Sequence, residues 1–168
     1  MILQPAMTGD PEAMPPAPPP AAGPVNLSLV GQVQNGLSLF LPLKSPAQMP
    51  AVQAILQMPS TQQRVHGALA GLDYVHFARF MPEPDGSALW VITEYDGGLR
   101  SYVMDFVAVL GDIFTELLQF VQGAPRLPVS RYPRDFAEFI DTHDLRVPIW
   151  AAYPDTTVID VHLGGEPK

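Results

Sequence analysis

Residues 72–106 gather four side chains that could do acid–base or anion-binding chemistry. His76 carries an imidazole, a group that could act as an acid or base or as an axial ligand to iron. Arg79 could bind a carboxylate group, or it could pair with Glu94 across a hairpin. Asp96 stands directly before two glycines and is expected to cap the helix that follows. His76, Arg79 and Glu94 form the predicted catalytic set.

Strand alternation determines which side chains could share a site with His76. Because successive side chains of a strand point to opposite faces, Tyr74 and Phe80 are predicted on the same face as His76. Val75 and Arg79 are predicted on the opposite face. If Val75 packs against helices, His76 looks over the open face of the sheet, where a ligand cavity would lie. The predicted ligand-binding residues are Tyr74, Phe80, Trp90, Arg126, Arg131 and His162.

A proline-rich loop, "GAPRLPVSRYP", followed by one more arginine, concentrates basic side chains in an acidic chain. Arg126, Arg131 and Arg134 account for three of the nine lysines and arginines. They could hold a carboxylate or propionate group at the mouth of a cavity, because guanidinium groups bind such anions with two hydrogen bonds. The alternative is local pairing with Asp135 and Glu138.

The elements that would position these residues follow from periodicity and breaker residues. Apolar residues three or four apart indicate helices, and alternation between turn signals indicates strands. The predicted elements are strands at 27–44, 74–80 and 89–95, helices at 45–72 with a break near Pro59, at 99–121 and from Pro133, and a last strand region at 149–163. Within the first strand, Asn35 and Gly36 could form a turn or bulge. The order β-α-β-β-α-α-β is that of a ferredoxin-like α+β domain with an antiparallel sheet.

Apolar residues occur on both faces of the predicted sheet. In the first strand, Leu37, Leu39 and Leu41 alternate with Phe40, and Trp90 alternates in the same way with its apolar neighbours. Helices cover only one face of such a sheet. A second apolar face therefore predicts self-association into at least a dimer, or a cavity for a small-molecule ligand.

Composition limits the classes of partner and site. The chain has 168 residues, 47% of them apolar, with a net charge of −8 and a pI near 4.7, so phosphate backbones would be repelled and no nucleic-acid partner is expected. There is no cysteine and the four histidines are scattered, so no metal site is predicted. No apolar run is long enough for a membrane span, and the start lacks a signal-peptide pattern, so a cytoplasmic protein is expected.

The amino-terminal segment differs from the rest of the chain. Residues 1–24 contain eight of the twenty prolines and include "PPAPPPAAGP". Such a segment is expected to form an extended, polyproline-like tail, with a single domain at 25–168. The tail is either a plain leader or a docking peptide for a protein partner.

The motifs "VHFARF" and "LWVITEYDGGLRSYVMDF", taken with the order of elements, resemble the dimeric α+β barrel superfamily. Over residues 27–165 the chain is similar to the branch near dye-decolorising peroxidases and chlorite-dismutase-like proteins. The resemblance implies a ferredoxin-like fold that pairs into a barrel. It also makes haem a conceivable cofactor, although "EYDGG" keeps only the Asp-Gly of the peroxidase motif and no proximal ligand can be carried over.

Three functions are compatible with these patterns. The first is an oxygenase or peroxidase-like enzyme that acts on a small apolar molecule, with His76 and Arg79 nearest the chemistry. The second is a non-catalytic binding or assembly module that uses the apolar sheet face and the proline-rich tail. The third is a cofactor-free acid–base isomerase, which would need a buried Glu94 or Asp160.

Overall fold

Three strands pair into one antiparallel sheet, and burial alternates along most of the first and the third strand. The computed structural model describes residues 33–164. The strands are β1 (Gln34–Pro42), β2 (Val75–Pro82) and β3 (Ala88–Asp96). β3 lies in the centre, so the order is β1-β3-β2 and both pairings are antiparallel. The predicted α+β class and antiparallel sheet are confirmed, and the arrangement is compatible with a ferredoxin-like fold.

The register of the strands separates two faces. Leu37, Leu39 and Leu41 of β1 lie opposite Thr93, Val91 and Leu89 of β3, and all six are buried. We call this the helix-facing side, and we call the other side, which carries Phe40, Ser38, Trp90 and Ile92, the outer face. Asn35 and Gly36, predicted as a turn or bulge, instead continue β1 without interruption.

Five α-helices lie within the described residues, and most of them begin where sequence signals place them. The helices are α1 (Met49–Gln57), α2 (Pro59–Gly71), α3 (Leu99–Leu118), α4 (Pro133–His143) and α5 (Val158–His162). The Ser45 side chain caps a short 3-10 turn before α1, and Pro59 separates α1 from α2, both as the sequence predicted.

α3 is the main cover of the helix-facing side. Its buried residues recur every three or four positions and include Tyr102, Val103, Phe106, Val107, Leu110, Ile113, Leu117 and Leu118. The sequence wrongly assigned its cap to Asp96. Gly98 is the residue that precedes the helix, with extended backbone and no side-chain cap.

The predicted last strand is wrong. Beyond α4 the chain is irregular over residues 145–157, which we call the strap, and it ends in α5. Thr157 and Asp160 form a capping box, in which each side chain accepts a hydrogen bond from the backbone of the other residue. This local arrangement starts a helix and competes with strand pairing. Within residues 33–164, a bridge between Leu39 and Asp144 marks the edge of β1 where a fourth strand would lie, and Leu43, just past β1, bridges to Val121.

Backbone contacts hold the strap to the sheet. The Leu145 amide donates to the Ser38 carbonyl over 2.9 Å, and the Val33 amide donates to the Pro154 carbonyl over 2.8 Å. The buried Gln34 side chain donates to the Thr156 carbonyl over 2.9 Å. These bonds replace the ladder that a fourth strand would have supplied.

The predicted tail and the first residues of the predicted first strand, residues 1–32, lie outside the described part of the chain. Residues 165–168 lie outside it as well.

Gly36 is a position where the strap lies close over the sheet. A β-carbon at Gly36 would lie 2.6 Å from the Cγ2 methyl group of Ile149. We predict that Gly36→Ala lowers the free energy of unfolding by about 1–3 kcal/mol, because the strap has to move away from β1. Urea denaturation followed by circular dichroism measures the change.

Gly67→Ala is the matched control for that substitution. Gly67 lies inside α2 with no atom near the added methyl group, so alanine should stabilise the protein by about 0.5–1 kcal/mol. Equal stabilisation by Gly36→Ala would contradict the close contact between Gly36 and Ile149.

Candidate functional site

A β-bulge at His76 decides which side chains of β2 reach each face. Val75 lies opposite Tyr95, whereas Phe77 lies opposite Glu94, so His76 is an extra residue in β2. The bulge reverses the alternation beyond His76. The predicted distribution of the β2 side chains is therefore wrong.

The side chains that the bulge redistributes include one predicted ligand-binding residue, Phe80, and one predicted catalytic residue, Arg79. Ala78 and Phe80 face the helices together with Val75, while Phe77 and Arg79 lie on the outer face. Phe80 therefore does not share a surface with His76. The sequence carries no residue typical of a bulge at this point, so alternation alone could not reveal the reversal.

His76 and Asp96 form a half-buried pair on the outer face. His76 Nε2 lies 2.8 Å from Asp96 Oδ1, and the two side chains are only 18% and 11% exposed. The second carboxylate oxygen of Asp96 accepts a hydrogen bond from the Val158 amide over 2.8 Å. Asp96 therefore joins β2, β3 and the start of α5 through one carboxylate group.

The pair has the geometry of an oriented acid–base group. A carboxylate that holds one ring nitrogen fixes the orientation of the imidazole and leaves the other nitrogen for a proton or a ligand. Nδ1 of His76 has no hydrogen-bond partner among residues 33–164. Asp96, which the sequence assigned to capping α3, is thus the residue that positions His76.

Tyr74 belongs to an aromatic cluster on the helix-facing side, away from His76. Its hydroxyl donates to Asp105 over 2.6 Å, and its ring meets the edge of Tyr102 at 6.5 Å between centroids. Tyr95 stacks on Tyr102 at 4.1 Å. Burial raises the pKa of Tyr95 to about 12 and also raises the pKa of Tyr102. These tyrosines serve packing.

A small cavity lies between the sheet and the helices. Its volume is about 20 Å³, and its walls include Leu39, Phe80, Phe106 and Phe136. Its polar wall is made by Thr93 together with Tyr102, whose hydroxyl groups are hydrogen-bonded at 2.8 Å. Such a space holds about one water-sized sphere, far below the roughly 300–1,000 Å³ of a typical ligand pocket.

Arg79 and Glu94 both lie on the outer face, but they do not pair with each other. The bulge places Arg79 opposite Ile92 and Glu94 opposite Phe77, so the predicted cross-strand pair is out of register. Neither charge has an ion-pair partner within the described residues. Arg79 is exposed and Glu94 is half-buried.

Aromatic and apolar side chains surround these two charges. Phe40 packs against Trp90 with 4.8 Å between ring centroids, and the Trp90 indole donates to Glu83. Phe77, Ile92 and Met81 complete this part of the outer face and are half-buried. Trp90 is therefore on the same face as His76, although it lies at the other end of β3.

The predicted arginine cluster lies elsewhere in the fold. Arg126 forms an ion pair with Asp135, and its hydrogen bonds lower the pKa of that carboxyl group. Its guanidinium group also lies 4.5 Å from the centre of the Tyr132 ring, which Arg131 approaches at 5.6 Å. The loop follows Val121, which bridges to Leu43 at the end of the sheet opposite Asp96. These arginines do not join His76.

His162 lies in α5 instead of a strand. Its Nδ1 is 3.7 Å from Asp73 Oδ1, and both side chains are more than half exposed. Asp160, the other ionisable residue predicted on that strand, caps α5 and is exposed. Neither residue lines the cavity between the sheet and the helices.

The strap carries apolar surface that the sequence prediction did not anticipate. Its exposed large apolar side chains are Leu145, Val147, Trp150 and Tyr153. The sequence predicted "IWAAY" as part of a strand, in which these side chains would be half-buried. In the irregular strap, Trp150 and Tyr153 instead point to solvent. Pro148 and Pro154, which flank this stretch, are the signal in the sequence against a regular strand.

The cavity under the sheet, of about 20 Å³, is too small for a haem macrocycle. No cluster of three or more potential metal ligands occurs between residues 33 and 164.

None of the helices in that range is both long enough and apolar enough to cross a membrane.

The Asp96 carboxylate should matter more for stability than the imidazole that it orients. We predict that Asp96→Ala lowers the free energy of unfolding by about 1.5–3 kcal/mol, because His76 and the Val158 amide both lose a charged acceptor. Faster hydrogen exchange at the Val158 amide should accompany this loss.

His76→Ala is the control for Asp96→Ala. It leaves the bond between Asp96 and Val158 intact, so exchange at the Val158 amide should change little. Equal acceleration by both substitutions would contradict the direct role of Asp96 in holding α5.

Comparisons of the chain with protein-family models, with curated proteins and with solved structures found no match. The resemblance to dimeric α+β barrel proteins therefore stays a prediction. The outer face, with its apolar side chains and its two charges, is the basis for the function proposed below.

Proposed function

We propose that this protein is a non-catalytic assembly module, which pairs with a second copy of itself through the outer face of its sheet. The observation that carries the proposal is the apolar surface formed by Phe40, Phe77, Met81, Trp90 and Ile92. Helices α1 to α4 pack on the other face, and the strap lies against the outer face at Gly36. An apolar sheet face of this kind is typical of an interaction site.

The charges on the outer face support a second copy as the partner. In a two-fold interface, each patch meets the same patch on the other subunit, so a self-complementary surface needs both signs of charge. Arg79 and Glu94 supply one of each and have no ion-pair partner in the described chain. A two-fold axis between them would bring each Arg79 to the Glu94 of the other subunit. Such a pairing agrees with the dimeric α+β barrel that the sequence motifs suggest.

A small-molecule enzyme, such as an oxygenase or peroxidase-like protein, is the second candidate. One observation favours it, which is the imidazole of His76 held by Asp96 with Nδ1 unpaired among the described residues. The cavity of about 20 Å³ speaks against a substrate beneath the sheet. A substrate would have to bind on the outer face beside His76.

Self-association is the direct test of the assembly proposal. We predict a dimer in sedimentation analysis of the full chain, and dissociation on substitution of Arg79→Glu or Glu94→Arg, because like charges then meet at the interface. The double reversal, Arg79→Glu with Glu94→Arg, should restore the dimer. Such rescue distinguishes a direct pairing from general damage to the surface.

Arg100→Glu is the matched control for the charge reversals. Arg100 is an exposed arginine in the first turn of α3, away from the outer face, so the dimer should persist. A chain that stays monomeric over the whole concentration range would contradict the assembly proposal.

The second candidate has its own measurement. Small aromatic probes such as indole should shift the ring signals of His76 in proton NMR spectra and leave those of the exposed His66 unchanged. An absence of shifts at His76 up to millimolar concentrations of probe would remove the enzyme candidate.

A further inference from the structure

The strap presents two aromatic side chains to solvent. Trp150 is 82% exposed and Tyr153 is 62% exposed, the largest exposures of aromatic residues within 33–164. The Trp150 indole N–H and the Tyr153 hydroxyl have no hydrogen-bond partner there either. Tryptophan and tyrosine usually offer both an apolar ring and a polar donor to a ligand. Only Ala151 and Ala152 separate them, so no bulky side chain stands between.

The amino-terminal part of the chain meets the fold at the backbone of Tyr153 and Pro154. The Val33 amide donates to the Pro154 carbonyl over 2.8 Å, and the Gln34 side chain donates to the Tyr153 carbonyl over 3.2 Å. Everything that precedes Val33 therefore joins the fold next to Tyr153. A connection over residues 24–33 spans up to about 30 Å when extended. Both Tyr153 and Trp150, three positions earlier, lie within that reach.

The chemistry of residues 15–24, "PPAPPPAAGP", matches that of the two rings. Proline fixes its own φ angle, so a proline run loses little conformational entropy when it binds in the polyproline II form. Aromatic surfaces bind such segments by packing on the rings of proline. Backbone carbonyls of polyproline II have no internal hydrogen bonds and can accept from indole and phenol groups. The segment carries no charge, so the acidity of the chain does not oppose contact.

We propose that residues 15–24 dock on Trp150 and Tyr153 of the same chain. Attachment through a short connection supplies an effective concentration in the millimolar range, which is enough to populate even weak binding. The docked segment would cover the apolar side of the strap, which is distinct from the Arg79 and Glu94 surface of the assembly proposal. The two proposals can therefore fail independently.

A nitroxide label on the proline segment tests the docking. The chain has no cysteine, so Ala17→Cys gives one labelling position, and its only tryptophans are Trp90 and Trp150. In proton–nitrogen spectra of the full chain, the Trp150 indole signal should lose most of its intensity through paramagnetic broadening. Trp90 lies six positions along β3 from Asp96, roughly 20 Å at the rise of a strand, and should lose less. Trp90→Phe assigns the two signals.

Two controls make the result specific. Replacement of Pro16, Pro18, Pro19 and Pro20 by glycine in the labelled chain keeps the label and its connection but removes the polyproline geometry, and should restore the Trp150 signal. A mixture of isotope-labelled chain without nitroxide and unlabelled chain with nitroxide reports contact between copies. The Trp150 signal should keep its intensity in that mixture.

Three outcomes would overturn the proposal. They are an unbroadened Trp150 signal in the uniformly labelled sample, equal broadening in the glycine variant, and broadening of the same size in the mixed sample. The last result would assign the contact to two copies of the chain.

Discussion

Burial of apolar side chains on both faces of one sheet is the constraint on which the rest of this structure depends. Leu37, Leu39 and Leu41 drive one face of β1 onto the helices, while Phe40 and Trp90 place aromatic surface on the other. The four helices before the strap cover only the helix-facing side of the sheet. The strap takes over part of the second face, and the remaining part is the basis of the assembly proposal.

The Asp96 carboxylate connects β2, β3 and α5. It closes the β2–β3 pair through His76 and anchors α5 through the Val158 amide. One charged acceptor therefore holds a bulged strand and the segment that follows the strap. The same contact that could orient an imidazole for chemistry thus also serves the fold, which is why His76 alone is weak support for catalysis. The outer face is a larger basis for a proposed function than His76, because it combines apolar residues with two charges that have no partners among the described residues.

Much of the fold could be predicted because its signals are local. The break at Pro59, the cap at Ser45 and the apolar stripe of α3 each depend on a few neighbouring residues. The candidate site could not be predicted to the same extent. A single extra residue at His76 exchanged the faces of Phe80 and Phe77, and Thr157 with Asp160 replaced an expected strand by a capped helix. These features arise from competition between local hydrogen bonds and sheet pairing, which composition does not reveal.

The sequence by itself determined the α+β class, the antiparallel hairpin and the helices that pack beneath it, because periodic burial and breaker residues act within a few positions. Only the tertiary structure decided that Asp96 binds His76 and Val158, that Arg79 and Glu94 do not pair, and that Trp150 faces outward. Each of these outcomes depends on the register between segments distant in the chain. Register is set by the packing of the whole domain, and a one-residue shift exchanges the two faces of a strand.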